Sequence, residues 1–240
     1  MFDKLRDNGR LIVYIVVAIF VISGAFAGFG AYMGGGGNRS TSASSQNIAK
    51  VNDENITQKE YLNVLRNQAP QSSQSSQQIL SFKYNILKQI VERNLILQKA
   101  DEMGIDVEVS DKKVEKTIDQ ILKSNNMTEK QLKDNLKKQN HSYKSFKKSI
   151  RNSLITQQKI QKTVDKTYEN VKVTESEIKK AYKENTKDQK DPKSFEEMKK
   201  DIKNNILQEK KSKAFNNWMN KLRAEAEIEI YDSRLKGMKA

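Results

Sequence analysis

Acid–base, nucleophilic and metal chemistry draw on histidine, cysteine and clustered carboxylates, and this chain of 240 residues is short of the first two. It has one histidine, His141, and no cysteine, which removes a thiol nucleophile, disulfides and the usual zinc ligand sets. His141 lies between Asn140 and Ser142 at a predicted helix junction, as a cap or exposed turn residue. The carboxylate pairs Glu175 with Glu177 and Glu196 with Glu197 stand at predicted helix starts, where negative charge complements the helix dipole. No phosphate-cradling glycine loop or Gly-x-Ser-x-Gly elbow is present. The pattern predicts no catalytic residue, no cofactor site and no metal site.

Soft and aromatic side chains suit a different chemistry, loose contact with other polypeptides. Met198, Phe215, Trp218 and Met219 are the candidates for such contact, with core packing as the competing role. Met103 and Met127 have the same character, and the spacing of all four of these methionines points to core filling.

The elements that must position these residues are mostly helices. Two prolines and an excess of Lys, Asn, Gln, Glu, Leu and Ile favour long helices over a sandwich or barrel. Lys and Arg number 44 against 30 Asp and Glu, a net charge of +14. The lysines are spread along nearly every helix, with no arginine-rich, aromatic-interleaved stripe. They read as solvated faces near an anionic bilayer, and no nucleic-acid partner is expected.

Leu11 to Met33 is an uncharged, nearly continuous apolar run, long enough at ~1.5 Å per residue to cross a hydrocarbon core of ~30 Å. Lys4, Arg6 and Arg10 precede it and only Arg39 follows closely, which puts residues 1–10 in the cytosol and the bulk of the chain outside. A signal peptide cleaved after Ala27 is the alternative. Residues 34–47, with Gly34 to Gly37 and then a Ser/Thr-rich stretch, form a flexible tether.

The folded part spans residues 48–232, with 233–240 as a tail. Ala49 and Val51 alternate with Lys50 as in a half-buried strand. Asn52 to Asn55 is turn chemistry, and Thr57 with Glu60 is a capping box that starts a helix at Gln58. Gln71 to Gln78 is a polar loop. Apolar spacing from Ile79 to Met103 predicts a central core helix closed by Gly104 in the left-handed region. Ser110 then caps a helix through Val114 and Ile118, Thr128 one through Leu132, and a longer helix follows Ser142. Thr174 with Glu177 starts a helix that stops near Asn185. After the linker Thr186 to Lys193, Ser194 with Glu197 starts a long helix through Trp218. Ile228 and Ile230 alternate with glutamates in a short strand. An isolated edge strand is unstable, so this one is expected to pair with Ile48 to Val51, joining the start and end of the folded part in a two-stranded sheet.

Ala-Lys-Val-Asn-Asp-Glu-Asn-Ile-Thr-Gln-Lys-Glu-Tyr after an apolar span (Ala49 to Tyr61) resembles the opening of the SurA N-terminal domain family, most closely its membrane-anchored PpiD-type folding factors. Leu95 to Ile105 with Val109 to Val114 resembles the same family, in which a long helix ends at glycine before shorter ones. The resemblance implies a mainly α fold: an N-terminal transmembrane helix, then a multi-helix chaperone domain. In that family a parvulin-type prolyl isomerase often sits between helices like Thr174 to Asn185 and Ser194 to Ala226. Here only Thr186 to Lys193 intervenes, and the histidine pair that parvulins use is missing. The expected role is a membrane-anchored, extracytoplasmic holdase in the periplasm or cell-wall space, not an enzyme. Its partners would be unfolded or nascent secreted polypeptides, the cytoplasmic membrane and the translocon. An adaptor in an envelope or secretion complex, or a prolyl isomerase of unfamiliar design, are the alternatives.

Overall fold

The structure is a computed structural model and describes residues 46–68, 75–138 and 140–236. The apolar run Leu11 to Met33 and the tether up to Ser45 lie outside the described residues, as do residues 71–74 of the polar loop. Among the described residues, no helix is long and apolar enough to cross a membrane.

The described residues are mainly helical, with three strands. In chain order they are β1 (Asn47–Val51), β2 (Glu54–Thr57), α1 (Gln58–Gln68), α2 (Ser76–Glu102), α3 (Asp111–Ser124), α4 (Glu129–Lys138), α5 (Tyr143–Lys166), α6 (Glu175–Thr186), α7 (Phe195–Glu225), β3 (Ile228–Ile230) and α8 (Ser233–Lys236). The chain divides into two compact units, one of residues 164–222 and the other of 46–163 with 223–236.

In the larger unit the sheet runs β2-β1-β3, antiparallel throughout. Pairing of β1 with β3 agrees with the sequence reading, with Ala49 opposite Ile230 and Val51 opposite Ile228. The two-stranded expectation is corrected to three strands. Only Asn52 and Asp53 turn, with Asn52 at φ 53°, and Glu54 to Thr57 return as β2. Its one apolar residue, Ile56, is fully buried. Asn enters the left-handed region more readily than other residues with a Cβ, and here its side chain bonds to distant partners.

The Thr57 cap is present, since the Glu60 amide donates to Thr57 Oγ1 at 3.2 Å. The Glu60 carboxylate instead reaches across to Arg93 on α2 at 3.1 Å. Helix α2 begins inside the expected loop. Ser75 accepts from the Gln78 amide at 3.3 Å and the Gln78 side chain accepts from the Ser75 amide at 2.9 Å. This reciprocal cap makes Ser76 to Gln78 helical. Ile86, Leu87, Ile90, Val91, Leu95 and Ile96 of α2 are buried, the broad stripe of a core helix.

Helix α2 ends at Gly104, φ 61°, with the Ile105 amide donating to the Ala100 carbonyl at 2.9 Å. Asn126 and Asn140 repeat the device at φ 48° and 57°. The Met127 amide donates to Leu122 and that of His141 to Leu136, both at 2.9 Å. These i to i−5 bonds satisfy carbonyls that a helix end leaves free. The helices so shortened, α3 and α4, pack with the first half of α5 around Val114, Ile118, Leu132, Leu136, Phe146 and Ile150.

In the unit of residues 164–222, α6 and α7 start at the expected boxes. The Glu177 and Glu197 amides donate to Thr174 Oγ1 and Ser194 Oγ at 3.3 and 3.4 Å. Ile178, Ile202 and Met219 are buried.

Candidate functional site

Two regions bear on function: the seam that joins the two ends of the folded part, and the α6–α7 pair that carries the candidate contact residues. The seam is built on Asn52. Its amide donates to the Glu227 carbonyl at 2.8 Å, and the Glu227 amide donates back to Asn52 Oδ1 at 2.9 Å. Asn52 Nδ2 also donates to Gln98 Oε1 at 2.7 Å, and Gln98 Nε2 donates to the Val51 carbonyl at 3.2 Å. One polar side chain of α2 thus locks the hairpin turn, and Asn52 in that turn holds Glu227 just before β3.

Charge completes the seam. Arg223 at the end of α7 lies 3.6 Å from Glu92 of α2. Burial pushes the Glu92 carboxyl above its ordinary range, with Arg223 and then Lys88 opposing that rise. Tyr61 is buried, donates to the Lys83 carbonyl at 3.1 Å, and is pushed up to about 12, mainly by burial and then by Asp232. Leu235 of α8 is also buried, so the segment after Asp232, read as a tail from sequence, contributes to this core.

The four candidate residues do not form one cluster. Phe215, Trp218 and Met219 share a face at i, i+3, i+4 spacing, with the Phe215 and Trp218 rings 6.0 Å apart and inclined at 48°. Met198 lies roughly 25 Å away along the axis of α7 at ~1.5 Å per residue. Phe215, Trp218 and Met198 are half-buried, whereas Met219 is only 2% exposed. Met219 is therefore a core residue, and the accessible apolar surface here belongs to the two rings.

At 100° per residue, Phe195, Met198, Ile202 and Ile206 occupy one side of α7, and Phe215, Trp218, Met219 and Leu222 nearly the opposite one. The first side is tied to α6. Tyr182 meets Phe195 edge-on at 5.3 Å, and its hydroxyl donates to the Lys193 carbonyl at 2.9 Å. Lys199 pairs with Glu175 at 2.8 Å. These contacts close the connection from Thr186 to Lys193 into a short bridge.

Glu175, Glu177 and Glu197 are committed to caps and ion pairs, whereas Glu196 is exposed. Glu177 accepts from the Thr174 amide at 2.8 Å and pairs with Lys210 at 2.5 Å. Lys210 first, then Thr174, hold its carboxyl down at about 2. Glu175 is lowered chiefly by its bond from Lys199, and Glu197 by its bonds from Ser194. A carboxylate held ionised in this way is a poor general acid. His141 is exposed and sits in the turn that ends α4. Among the described residues, no group of three or more His, Cys, Asp or Glu is placed to hold a metal ion.

Sequence reasoning missed Asn52 and Gln98 as the seam. Their signal was faint, an Asn in a predicted turn and one polar residue on a core helix. No curated protein matches the chain. The model of the SurA-like N-terminal domain matches residues 1–160, a stretch that takes in β1, the Asn52 turn, α2 and the Gly104 helix end. The chain is thus a member of the SurA-like N-terminal domain family.

Proposed function

We propose that the protein is a membrane-anchored, extracytoplasmic holdase that shields unfolded or newly translocated polypeptides without covalent chemistry. Membership of a chaperone-related family carries the reading, because the matched stretch, residues 1–160, includes the apolar run Leu11 to Met33 as well as the helical core. That run would anchor the chain with residues 1–10 in the cytosol, like PpiD-type factors.

The half-buried pair of Phe215 and Trp218 offers clients an apolar surface, and the lysine-rich exterior keeps a loaded complex soluble. The α6–α7 bridge supports a role without isomerisation. Tyr182 meets Phe195 across the short connection at which the resembling family often carries a parvulin domain.

Photocrosslinking in cells from a probe at position 218 tests this reading. Many secreted polypeptides caught during translocation are the expected outcome. A single stoichiometric partner would replace the holdase with an adaptor. Acceleration of proline isomerisation in a protease-coupled peptide assay would contradict the non-enzymatic part.

A further inference from the structure

The outer edge of β3 presents backbone groups in a register that can be worked out. Lys50 is opposite Glu229, with Ala49 opposite Ile230 and Val51 opposite Ile228. The Asn52 amide donates to the Glu227 carbonyl and the Tyr231 amide to the Ile48 carbonyl, at 2.8 and 2.9 Å. In an antiparallel ladder the backbone groups of alternate residues face opposite neighbours. Residues 227, 229 and 231 therefore turn theirs toward β1, and Ile228 and Ile230 turn theirs outward. β3 is the last strand of the sheet, and no described residue bonds to those outward groups.

The side chains alternate as well. Ile228 and Ile230 are half-buried, whereas Glu227, Glu229 and Tyr231 are exposed. In a chain of net charge +14, β3 itself carries glutamates on its solvent face and no lysine, and Lys50 of β1 lies opposite Glu229 on the inner side, away from the open edge.

We propose that β3 is a docking edge for one extended segment of an unfolded polypeptide in which apolar and basic residues alternate. The proposal rests on the holdase reading and deepens it by naming the class of client. Added as a fourth strand, the segment would bond to the amides and carbonyls of Ile228 and Ile230. Its apolar residues would extend the core face, and its Lys or Arg residues would lie beside Glu227 and Glu229. A second copy of the chain is the wrong occupant, because antiparallel β3–β3 pairing would set glutamate beside glutamate.

The test uses the full chain in mild detergent with two labelled peptides, Thr-Val-Lys-Val-Arg-Val-Thr and Thr-Val-Glu-Val-Asp-Val-Thr. The overall positive charge favours the acidic peptide, whereas the edge favours the basic one. The expected result is tighter binding of the basic peptide, by roughly fivefold, with hydrogen exchange at the Ile228 and Ile230 amides slowed on binding. The double variant Glu227→Lys, Glu229→Lys should reverse the preference. N-methylation of the peptide amides facing β3 should abolish binding without altering the protein.

Equal or tighter binding of the acidic peptide, or unchanged exchange at Ile228 and Ile230, would overturn the proposal and reduce the glutamates to a guard against self-association. Full suppression of aggregation by the double variant would also overturn it while leaving the holdase reading intact. Slowed exchange with the basic peptide in a protein that protects no client would sink that reading and keep the edge.

Discussion

Asn52 and Glu227 exchange two hydrogen bonds, amide to carbonyl at 2.8 Å and amide to side-chain oxygen at 2.9 Å, across 175 residues of sequence. With β1 against β3, they bring the opening of the folded part to the end of its longest helix. Asn52→Gly keeps the left-handed backbone and the amide bond to the Glu227 carbonyl but loses the side-chain bonds to Gln98 and to the Glu227 amide. It should cost about 1–3 kcal/mol in chemical denaturation. Asn52→Ala should cost about 1 kcal/mol more, because its Cβ resists φ 53°.

Gly104 tests the helix end in isolation. A Cβ built there meets nothing within 4 Å, so only its φ of 61° opposes substitution. Gly104→Ala should lower stability by about 1 kcal/mol. Gly104→Asn should lower it less, since Asn126 and Asn140 occupy the same conformation at the ends of α3 and α4.

Two glutamates should respond to pH in opposite directions. Glu177 titrates near 2 instead of 4.5. Its contribution to stability is present above the unfolded value and is lost as pH falls toward 2. Carboxyl NMR should place its midpoint near 2 and show it moving toward the ordinary value in Lys210→Met. Glu92 is raised, chiefly by burial. Ionising it therefore erodes stability as pH climbs through and above the ordinary carboxylate value. Glu92→Gln should flatten that part of the pH–stability curve, and Arg223→Met should raise the Glu92 midpoint further.

The two roles on the far half of α7 should separate by mutation. Met219→Ala removes a core side chain and should cost about 2–5 kcal/mol. Trp218→Ala starts from a half-buried position. It should cost less stability and more client protection. Trp218 is the sole tryptophan, so a shift in intrinsic emission when an unfolded client is added reports contact at this face directly.

Local signals with a short-range physical cause were legible in the sequence. The caps at Ser110, Thr128, Thr174 and Ser194 needed only a hydroxyl, and at most of them an acid or amide three residues on, and the structure has them. Strand β2 was hidden because Glu54, Asn55 and Thr57 surround a single apolar residue, Ile56. Its burial comes from β1 and not from any alternation of its own. The turns at Asn126 and Asn140 were illegible for a related reason, since Asn favours the left-handed region too weakly to mark a helix end without its neighbours. At the candidate site, i, i+3, i+4 spacing put Phe215, Trp218 and Met219 on one face. It could not say which of the three is inside.

Light scattering from a chemically unfolded protein diluted into buffer with the full chain tests the holdase reading most directly. An unrelated lysine-rich helical protein of matched net charge serves as the control. The account predicts ATP-independent suppression near stoichiometric ratios, clearly above the control and weakened by Trp218→Ala. Protection no greater than the control's would contradict it.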